Sequence, residues 1–313
     1  MEQKHFDKNN NENTRLPGWS DILPFFLPSV VFALMIYSEF KYANPFLIIW
    51  LAYVLIPILD YLLPVDHKNL SDFQARAFEK DKRFLIPVYL TWLIDFTIYF
   101  VVLYQVSTGK IAQTLANFLI YAVSYAQLAA INGAGGHELL HRKEKVHKIF
   151  GTLAFSKMLY SHFLIQHIVS HHKKVAKPED LSTARMNESL YAFYMRTIPN
   201  GYVEVWNIEK KRKKDLNGKY ESISIKHSFN APQIVTNLIL FKLQRHSDHH
   251  AYAYKPYQIL DSFPESPMLP YGYSVSLILS YFPFIWQKVQ NPVTEAINND
   301  TKISEEVQRD REK

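Results

Sequence analysis

Residues 113–141 read QTLANFLIYAVSYAQLAAINGAGGHELLH, and in this segment an apolar run leads directly into a pair of histidines. The run 113–131 approaches the roughly 20 residues that a helix needs to cross about 30 Å of hydrocarbon. Three further apolar runs precede it, near 22–40, 46–63 and 84–105. The sequence therefore predicts an all-α integral membrane protein with about four transmembrane helices.

The composition agrees with such an anchor. Hydrophobic residues make up 48% of the chain and aromatic residues 15%. Four buried helices of a soluble bundle are the alternative, but nearly every position around these runs is apolar and none of them has a charged face. Polar residues inside a span are costly, so we expect Asp95, Gln113, Asn117 and Gln127 to face another helix or a cavity.

The distribution of lysine and arginine predicts the topology. The short joints 41–45 and 106–112 hold one lysine each, whereas the loop 64–83 holds five basic residues. The positive-inside rule therefore places that loop, the N-terminal tail and everything after residue 132 on the cytosolic or matrix-like side. A bacterial inner membrane, the endoplasmic reticulum and the mitochondrial inner membrane all fit this topology.

The chain divides into four parts by composition. After the spans, two shorter apolar segments, 149–166 and 271–287, are interrupted by polar residues or by proline. We therefore expect them to lie in the membrane interface rather than to cross the bilayer. The four parts are a polar tail (1–20), a transmembrane bundle (21–132), a helical cytosolic or matrix-side cap that carries the histidines (133–290) and a charged tail (291–313).

Net charge and cysteine content exclude several partners and cofactors. The formal net charge is +6, but the basic residues flank apolar runs and form no separate basic face, so we expect no nucleic acid partner. Attraction to an anionic lipid bilayer accounts for them instead. The chain has no cysteine, which excludes disulfides and iron–sulfur ligation.

Three histidine clusters, HELLH, HIVSHH and HSDHH, follow the last span and hold eight of the 13 histidines in the chain. In each cluster two histidines stand four residues apart, which places both rings on one face of an α-helix. So many imidazoles at this spacing predict a metal site, and they suit a pair of first-row metal ions better than one ion. The predicted ligands are His137, His141, His167, His171, His172, His246, His249 and His250.

The residues leave two assignments of the metal open. HELLH alone matches the zinc-protease pattern, in which Glu138 is the general base, but that assignment leaves six histidines unused. Two non-haem irons with open positions for dioxygen use all eight, with zinc as a substitute ion, and oxidation of an unactivated C–H bond needs such a centre. Glu138 and Asp248 are expected to accept hydrogen bonds from ligand imidazoles. The alternative for Glu138 is an ion pair with Arg142.

The clusters and their flanking residues resemble the membrane alkane 1-monooxygenases of the histidine-box superfamily, which also contains the fatty-acid desaturases. The resemblance rests on HELLHRKE (137–144), on HIVSHHKKVAKPEDLSTARMNES (167–189) and on LQRHSDHHA (243–251). It implies a non-haem diiron enzyme that inserts one atom of dioxygen into a terminal methyl group of a hydrocarbon or fatty-acyl chain. A rubredoxin-like protein or another reductase is the implied electron donor.

The chain departs from this family between the second and third clusters. The resemblance implies an Asn-Tyr-x-Glu-His-Tyr-Gly motif whose histidine is a ninth ligand, and that motif is missing. Residues 202–206 (YVEVW) are a poor copy with Val205 in place of the histidine, and the alignment that we prefer removes the motif together with two spans. His227 is then expected to lie beside the ligands or to replace the missing one. Gln166 stands where the family usually has glutamate.

Two functions remain open from the sequence. The first is an active monooxygenase that hydroxylates an alkane or a fatty-acyl chain, and the eight retained histidines favour it. The second is a catalytically degenerate relative that serves as a structural subunit of a larger membrane complex, such as a respiratory complex. The shortened bundle favours this second function.

Overall fold

The computed structural model describes residues 15–42, 45–211 and 225–298. Within these ranges the regular structure is helical, and no β-strand forms beyond two isolated bridges. The predicted all-α fold is confirmed. Large parts of both predicted tails, residues 1–14 and 299–313, lie outside the described residues.

Fifteen α-helices occupy the described part of the chain, and several of them are joined by one turn of 3₁₀- or π-helix. The 3₁₀ turns are Leu23–Phe26, Lys82–Phe84, Ile225–His227 and Tyr257–Ile259, and the π-helical turns are Leu51–Leu55 and Gln166–His171. The α-helices are α1 (Trp19–Ile22), α2 (Leu27–Tyr42), α3 (Leu47–Trp50), α4 (Ile56–Leu62), α5 (Asp72–Lys80), α6 (Leu85–Ser107), α7 (Leu115–His141), α8 (Lys145–Ser156), α9 (Phe163–Ile165), α10 (His172–Lys174), α11 (Leu190–Lys211), α12 (Ile234–Ile239), α13 (His246–Ala251), α14 (Tyr273–Ser280) and α15 (Pro283–Asn298).

Three helical stretches of the described chain are long and apolar enough to cross a membrane: Trp19–Glu39, Lys82–Ser107 and Leu115–His141. They match three of the four predicted spans. The remaining predicted span corresponds to a shorter apolar stretch, Leu47–Leu62. The chain is thus a membrane protein, and the count of four crossings stays a prediction.

Polar residues inside the bundle bond to one another across the helices. Asn132 of α7 donates a hydrogen bond of 2.5 Å to Asp95 of α6, and Tyr53 donates one of 3.2 Å to Gln127. Asp95 and Gln127 therefore face helix partners, as expected. The expectation that Gln113 and Asn117 also face another helix or a cavity is wrong, because both side chains are exposed. Gln113 precedes α7, and Asn117 lies exposed in its first turn, where Thr114 caps the helix.

Two glycines bring α7 and α8 into close contact at the end of α7 that carries the first histidine cluster. A Cβ atom added to Gly136 would lie 2.7 Å from the Cβ atom of Ala154, and one added to Gly151 would lie 2.7 Å from the carbonyl oxygen of Gly136. Such distances are far below ordinary van der Waals contact, so only glycine fits at these two positions. The tight packing fixes the direction in which the last turn of α7 points.

A hydrophobic core joins the cap to the ends of the spans. Tyr257 is its largest buried side chain, and it packs edge-on against Phe25 and Phe84. Its hydroxyl group donates a hydrogen bond of 2.8 Å to the carbonyl oxygen of Phe84. Burial of aromatic surface with a satisfied hydroxyl stabilises the contact between the cap and the bundle.

The two predicted interfacial segments have more structure than their composition indicates. In 149–166 the helix α8 ends at Ser156, and the chain then turns before α9 begins. In 271–287 two helices form, and Pro283 starts the second one because a missing N–H group costs nothing in the first turn. Helix α15 then continues to Asn298, so the first residues of the predicted C-terminal tail are helical.

Candidate metal centre

All eight predicted ligands lie on helical segments that meet at one end of the bundle. His137 and His141 lie in the last two turns of α7, and the third cluster lies on α13. The second cluster occupies the π-helical turn Gln166–His171 and the start of α10. A π-helix closes its hydrogen bonds between residues five apart, so it aligns His167 with His172.

Five of the histidines form one group, which we call the five-histidine group. In this group the Nε2 atom of His167 lies 2.6 Å from that of His137, 3.1 Å from that of His141 and 2.9 Å from that of His172. The candidate ligand atoms of the whole group lie within 4.8 Å of one another. Its members are His137, His141, His167, His172 and His249.

The other three histidines form a second group, the three-histidine group, from His171, His246 and His250. The Nε2 atoms of His171 and His250 are 3.1 Å apart, and the candidate ligand atoms of all three again lie within 4.8 Å. The two groups touch, because the rings of His172 and His250 have centroids 5.0 Å apart. The division differs from the sequence-based pairing, which placed His167 with His171.

The distances within the groups fit ligation of metal ions. Two nitrogen ligands about 2.1 Å from one ion and at right angles lie about 3.0 Å apart. The measured Nε2–Nε2 distances of 2.6 to 3.3 Å bracket that value. The Nε2 atom of His249 is buried and has no hydrogen-bond partner among the described residues. An orphaned buried nitrogen is costly, and a bound metal would satisfy it.

Three imidazoles of the centre, those of His172, His246 and His249, are held in the neutral form that binds metals. Burial, and then the charges of His141 and His171, lowers the pKa of His172 to about 2. Burial and then His171 lower the pKa of His246 to about 4. Burial likewise lowers the pKa of His249 well below its ordinary value. At neutral pH each of these rings therefore has a free lone pair.

Two side chains that the sequence analysis missed hold the three-histidine group in place. Asp180 is buried, and its carboxylate lies 2.8 Å from the Nδ1 atom of His171. Ser228 lies 2.5 Å from the Nδ1 atom of His250. Such contacts leave Nε2 as the atom that faces the ions and fix the orientation of each ring. Asp180 lies within the quoted stretch 167–189, so its presence beside the second cluster was the available signal.

The carboxylate of Asp180 is itself well bonded. Thr183 donates to it through its hydroxyl group, at 2.5 Å, and Ser182 through its backbone N–H group, at 3.0 Å. Burial alone would raise the pKa of Asp180, but the hydrogen bonds from His171 and Thr183 outweigh it and lower the pKa. Asp180 therefore remains an anion and an acceptor beside the metal centre.

The roles predicted for Glu138 and Asp248 are corrected by the structure. Glu138 accepts hydrogen bonds from Arg142, at 2.8 Å, and from the backbone of Tyr257, at 3.1 Å. Asp248 accepts from Lys255, at 3.0 Å. In the hydrogen bonds that the structure describes, neither carboxylate contacts an imidazole. The physical reason is helical direction, since a residue next to a ligand points about 100° away from it.

His227 does not join either histidine group. It ends the 3₁₀ turn Ile225–His227, and the contact with the third cluster comes from the next residue, Ser228. His227 is in neither histidine group, which does not support a role as a substitute ligand, and its expected place beside the ligands stays a prediction. Burial of the Ser228 side chain against α13 explains why the serine makes this contact.

Helix α11 packs against the π-helical turn and brings the segment 202–206 beside the second cluster. Glu204 accepts a hydrogen bond of 2.6 Å from Ser170 and pairs with Lys174 at 2.7 Å. Gly201 lies so close to Gln166 that an added Cβ atom would be 2.5 Å from its amide nitrogen. Val205 is buried on the same side of α11. The segment 212–220, which completes our preferred alignment, lies outside the described residues.

Arg245 anchors the third cluster to the loop before α5. Its guanidinium group is buried and pairs with Asp66 at 2.9 Å. It also donates to the carbonyl oxygen of Leu260, at 2.7 Å. A buried charge is tolerated only with such partners. Because Arg245 directly precedes His246, this network fixes the start of α13.

Comparisons with known proteins agree with the geometry. A family model described as fatty acid desaturase matches residues 112–220, which include the first two clusters. The chain is 30% identical to alkane 1-monooxygenase 1 of Alcanivorax borkumensis, over 76% of this chain and 74% of that protein. It is 28% identical to the alkane 1-monooxygenase of Pseudomonas putida, over 82% of this chain and 84% of that protein.

Proposed function

The chain belongs to the alkane 1-monooxygenase family of the histidine-box superfamily, and from this premise we propose that it is a non-haem diiron monooxygenase. Its substrate is an alkane or a fatty-acyl chain, which it hydroxylates at a terminal methyl group with dioxygen. The proposal rests on one observation: eight imidazoles divide into two touching groups, and within each group the candidate ligand atoms lie close enough to bind one ion. Each group supplies enough nitrogen atoms to hold one ion.

The residues of each group have distinct tasks in this proposal. The five-histidine group would hold one iron and the three-histidine group the other, with positions left open for other ligands. Non-haem iron, when bound, supplies the activation of dioxygen that attack on an unactivated C–H bond requires. Asp180 and Ser228 orient the rings of His171 and His250. Burial of the clusters excludes water from the reacting atoms.

Helix α11 supports the proposal because it covers the side of the centre that the shortened bundle would leave open. The alignment with the Alcanivorax protein is 305 positions long, but it includes only 76% of the 313 residues of this chain. The remaining positions are gaps in this chain, so the relative has residues where this chain has none. We propose that α11 takes over part of the missing wall. Its outer face exposes a stripe of large side chains, which we propose faces the bilayer, namely Tyr194, Met195, Ile198, Tyr202 and Trp206.

A hydrocarbon substrate would reach the centre from the bilayer. Apolar chains partition into the membrane, and a contiguous exposed apolar patch marks a membrane or ligand contact. Within the stripe, the ring of Tyr202 contacts the ring of His162, with centroids 5.6 Å apart. We propose that the substrate enters here, between α11 and the turn before α9. The electrons come from a rubredoxin-like protein or another reductase on the side of the cap.

The proposed setting is a multi-pass membrane protein with the centre on the cytosolic or matrix-like face. The first cluster lies at the end of the last span and converges with the two clusters that follow it, which supports a shared side. None of the described contacts favours the alternative of a structural subunit, and the relatives reported above are all named monooxygenases. The test below still separates the two.

Metal analysis and turnover of the purified protein in lipid nanodiscs test the proposal. We expect close to two irons per chain and oxygen-dependent formation of a primary alcohol from dodecane with an electron donor. His141→Ala and His171→Ala should each lower the iron content and abolish turnover. His67→Ala is the matched control, because His67 bonds to Ser262 and lies in neither group. Iron without turnover would favour the structural subunit, and unchanged iron in both variants would refute the ligand assignment.

A further inference from the structure

A cleft between α2, α6 and α7 lies away from the histidine groups and has its own polar end. Its volume is about 450 Å³ when the solvent space at its open side is included. The body of the cleft is apolar, whereas its two long polar side chains lie at one end. The residues that define it are Met35, Ile98, Val102 and Leu128 in the body and Glu39 and Gln105 at the polar end.

The polar end faces the membrane surface opposite the cap. Glu39 lies near the end of α2, and Gln105 lies in the last turn of α6. Ile98 and Leu128 lie deeper along their helices, towards the middle of the bundle. The cleft thus has the polarity of an amphiphile, with a place for a head at the membrane surface and a place for a chain inside.

Only one of the two carboxyl oxygens of Glu39 accepts a hydrogen bond within the described part of the chain. Tyr121 donates a hydrogen bond of 2.8 Å to its Oε1 atom. Its Oε2 atom is buried and has no hydrogen-bond partner in the part of the chain that the structure describes. A buried oxygen without a donor is costly, so a ligand that supplies a donor is favoured here.

Two polar pairs separate the cleft from the histidines. The bond between Asp95 and Asn132 ties α6 to α7 one turn beyond the cleft, and a bond of 2.9 Å between Ser29 and Thr91 ties α2 to α6. Along α7, twelve residues from the level of Tyr125 to His137 correspond to about 18 Å. A molecule in the cleft is therefore not at the position where it would react.

We propose that this cleft binds a long-chain primary alcohol, with its hydroxyl group on the Oε2 atom of Glu39 and its chain against Leu128. An alkane has no donor for this oxygen. A fatty carboxylate would place a second acceptor, and at neutral pH a like charge, beside it. An ammonium head has three N–H donors that each need an acceptor, whereas a hydroxyl group has one donor and needs one acceptor. A hydroxyl group can also accept a hydrogen bond from Glu39 when this carboxyl group is protonated.

The role of this site in the reaction rests on the proposed function. Terminal hydroxylation turns a chain without a hydrogen-bond donor into one with a single hydroxyl group. The cleft would therefore hold the product but not the substrate. Such a site would draw the alcohol away from the metal centre towards the opposite face of the membrane.

The test measures binding of 1-dodecanol that carries a mid-chain photoreactive diazirine, with unlabelled competitors. The wild-type protein is used without an electron donor, so that no turnover occurs and failure of the catalytic proposal cannot affect the result. We expect saturable labelling of α2, α6 or α7 that 1-dodecanol displaces and dodecane does not. Glu39→Leu should weaken binding of the alcohol about tenfold, the worth of one hydrogen bond to a carboxylate.

Tyr121→Phe is the matched control. It removes the hydroxyl group from Oε1 but leaves Oε2 available, so the affinity for 1-dodecanol should stay within about twofold of wild type. Leu128→Trp should block the chain and abolish labelling, with a thermal unfolding curve to check the fold. Unchanged affinity in Glu39→Leu would overturn the proposal. Stronger displacement by dodecylammonium than by 1-dodecanol would also overturn it, in favour of an amine-bearing lipid.

Discussion

Removal of the Asp180 carboxylate should weaken the binding of one metal ion and leave the binding of the other unchanged. Asp180 lies 2.8 Å from the Nδ1 atom of His171, which belongs to the three-histidine group, and it contacts no member of the five-histidine group in the described hydrogen bonds. Loss of a partner that orients a histidine ligand typically lowers metal affinity ten- to hundredfold. For Asp180→Ala this corresponds to roughly 1.4 to 2.8 kcal/mol at one ion.

Titration of the metal-free protein with iron(II) against a competing chelator measures the two affinities. Asp180→Asn keeps an oxygen that accepts from His171 but loses the charge, so its effect should be smaller than that of Asp180→Ala. Thr183→Val controls for the local loop, because it removes a donor to Asp180 and leaves the contact with His171 in place. If Asp180→Ala bound both irons as tightly as wild type, the assigned role of Asp180 would be refuted.

Three further predictions concern the packing of α7, the topology and a partly buried ion pair. Gly136→Val should lower the melting temperature and the iron content together, because its Cβ atom would come within 2.7 Å of a side chain on α8. Overpacking of this kind typically costs about 1 to 3 kcal/mol. Gly136→Ala should have a smaller effect in the same assay. The chain has no cysteine, so an impermeant thiol reagent should label Arg76→Cys and Lys110→Cys from opposite sides of the membrane, and labelling from one side would refute the predicted crossings. The hydrogen bond from Arg196 lowers the pKa of Glu188, so this pair stabilises the fold above the ordinary pKa of 4.5, and its contribution is lost as the pH falls through the lower pKa of the folded state. The difference in melting temperature between wild type and Glu188→Gln should therefore narrow below pH 4.5. A constant difference would contradict this assignment.

The ligand residues and the helical class were predictable because their signals are local. An apolar run of the length of α7 forms a helix wherever it lies in a membrane, and a histidine four residues from another shares its face. The eight histidines that converge are the eight that the spacing singled out. The contacts of Asp180 and Ser228 were not predictable, because nothing in the spacing of a carboxylate or a serine shows which ring it will meet.

The helices, the apolar anchor and the set of imidazoles follow from the sequence, since each depends on residues within a few turns of one another. The way in which those imidazoles divide into two groups follows only from the packing of the folded chain. A π-helical turn at Gln166–His171 aligns His167 with His172, and α13 contributes His249 to one group and His250 to the other. That division depends on one extra residue in a helical turn and on packing between distant segments. Neither property leaves a periodic pattern in the sequence.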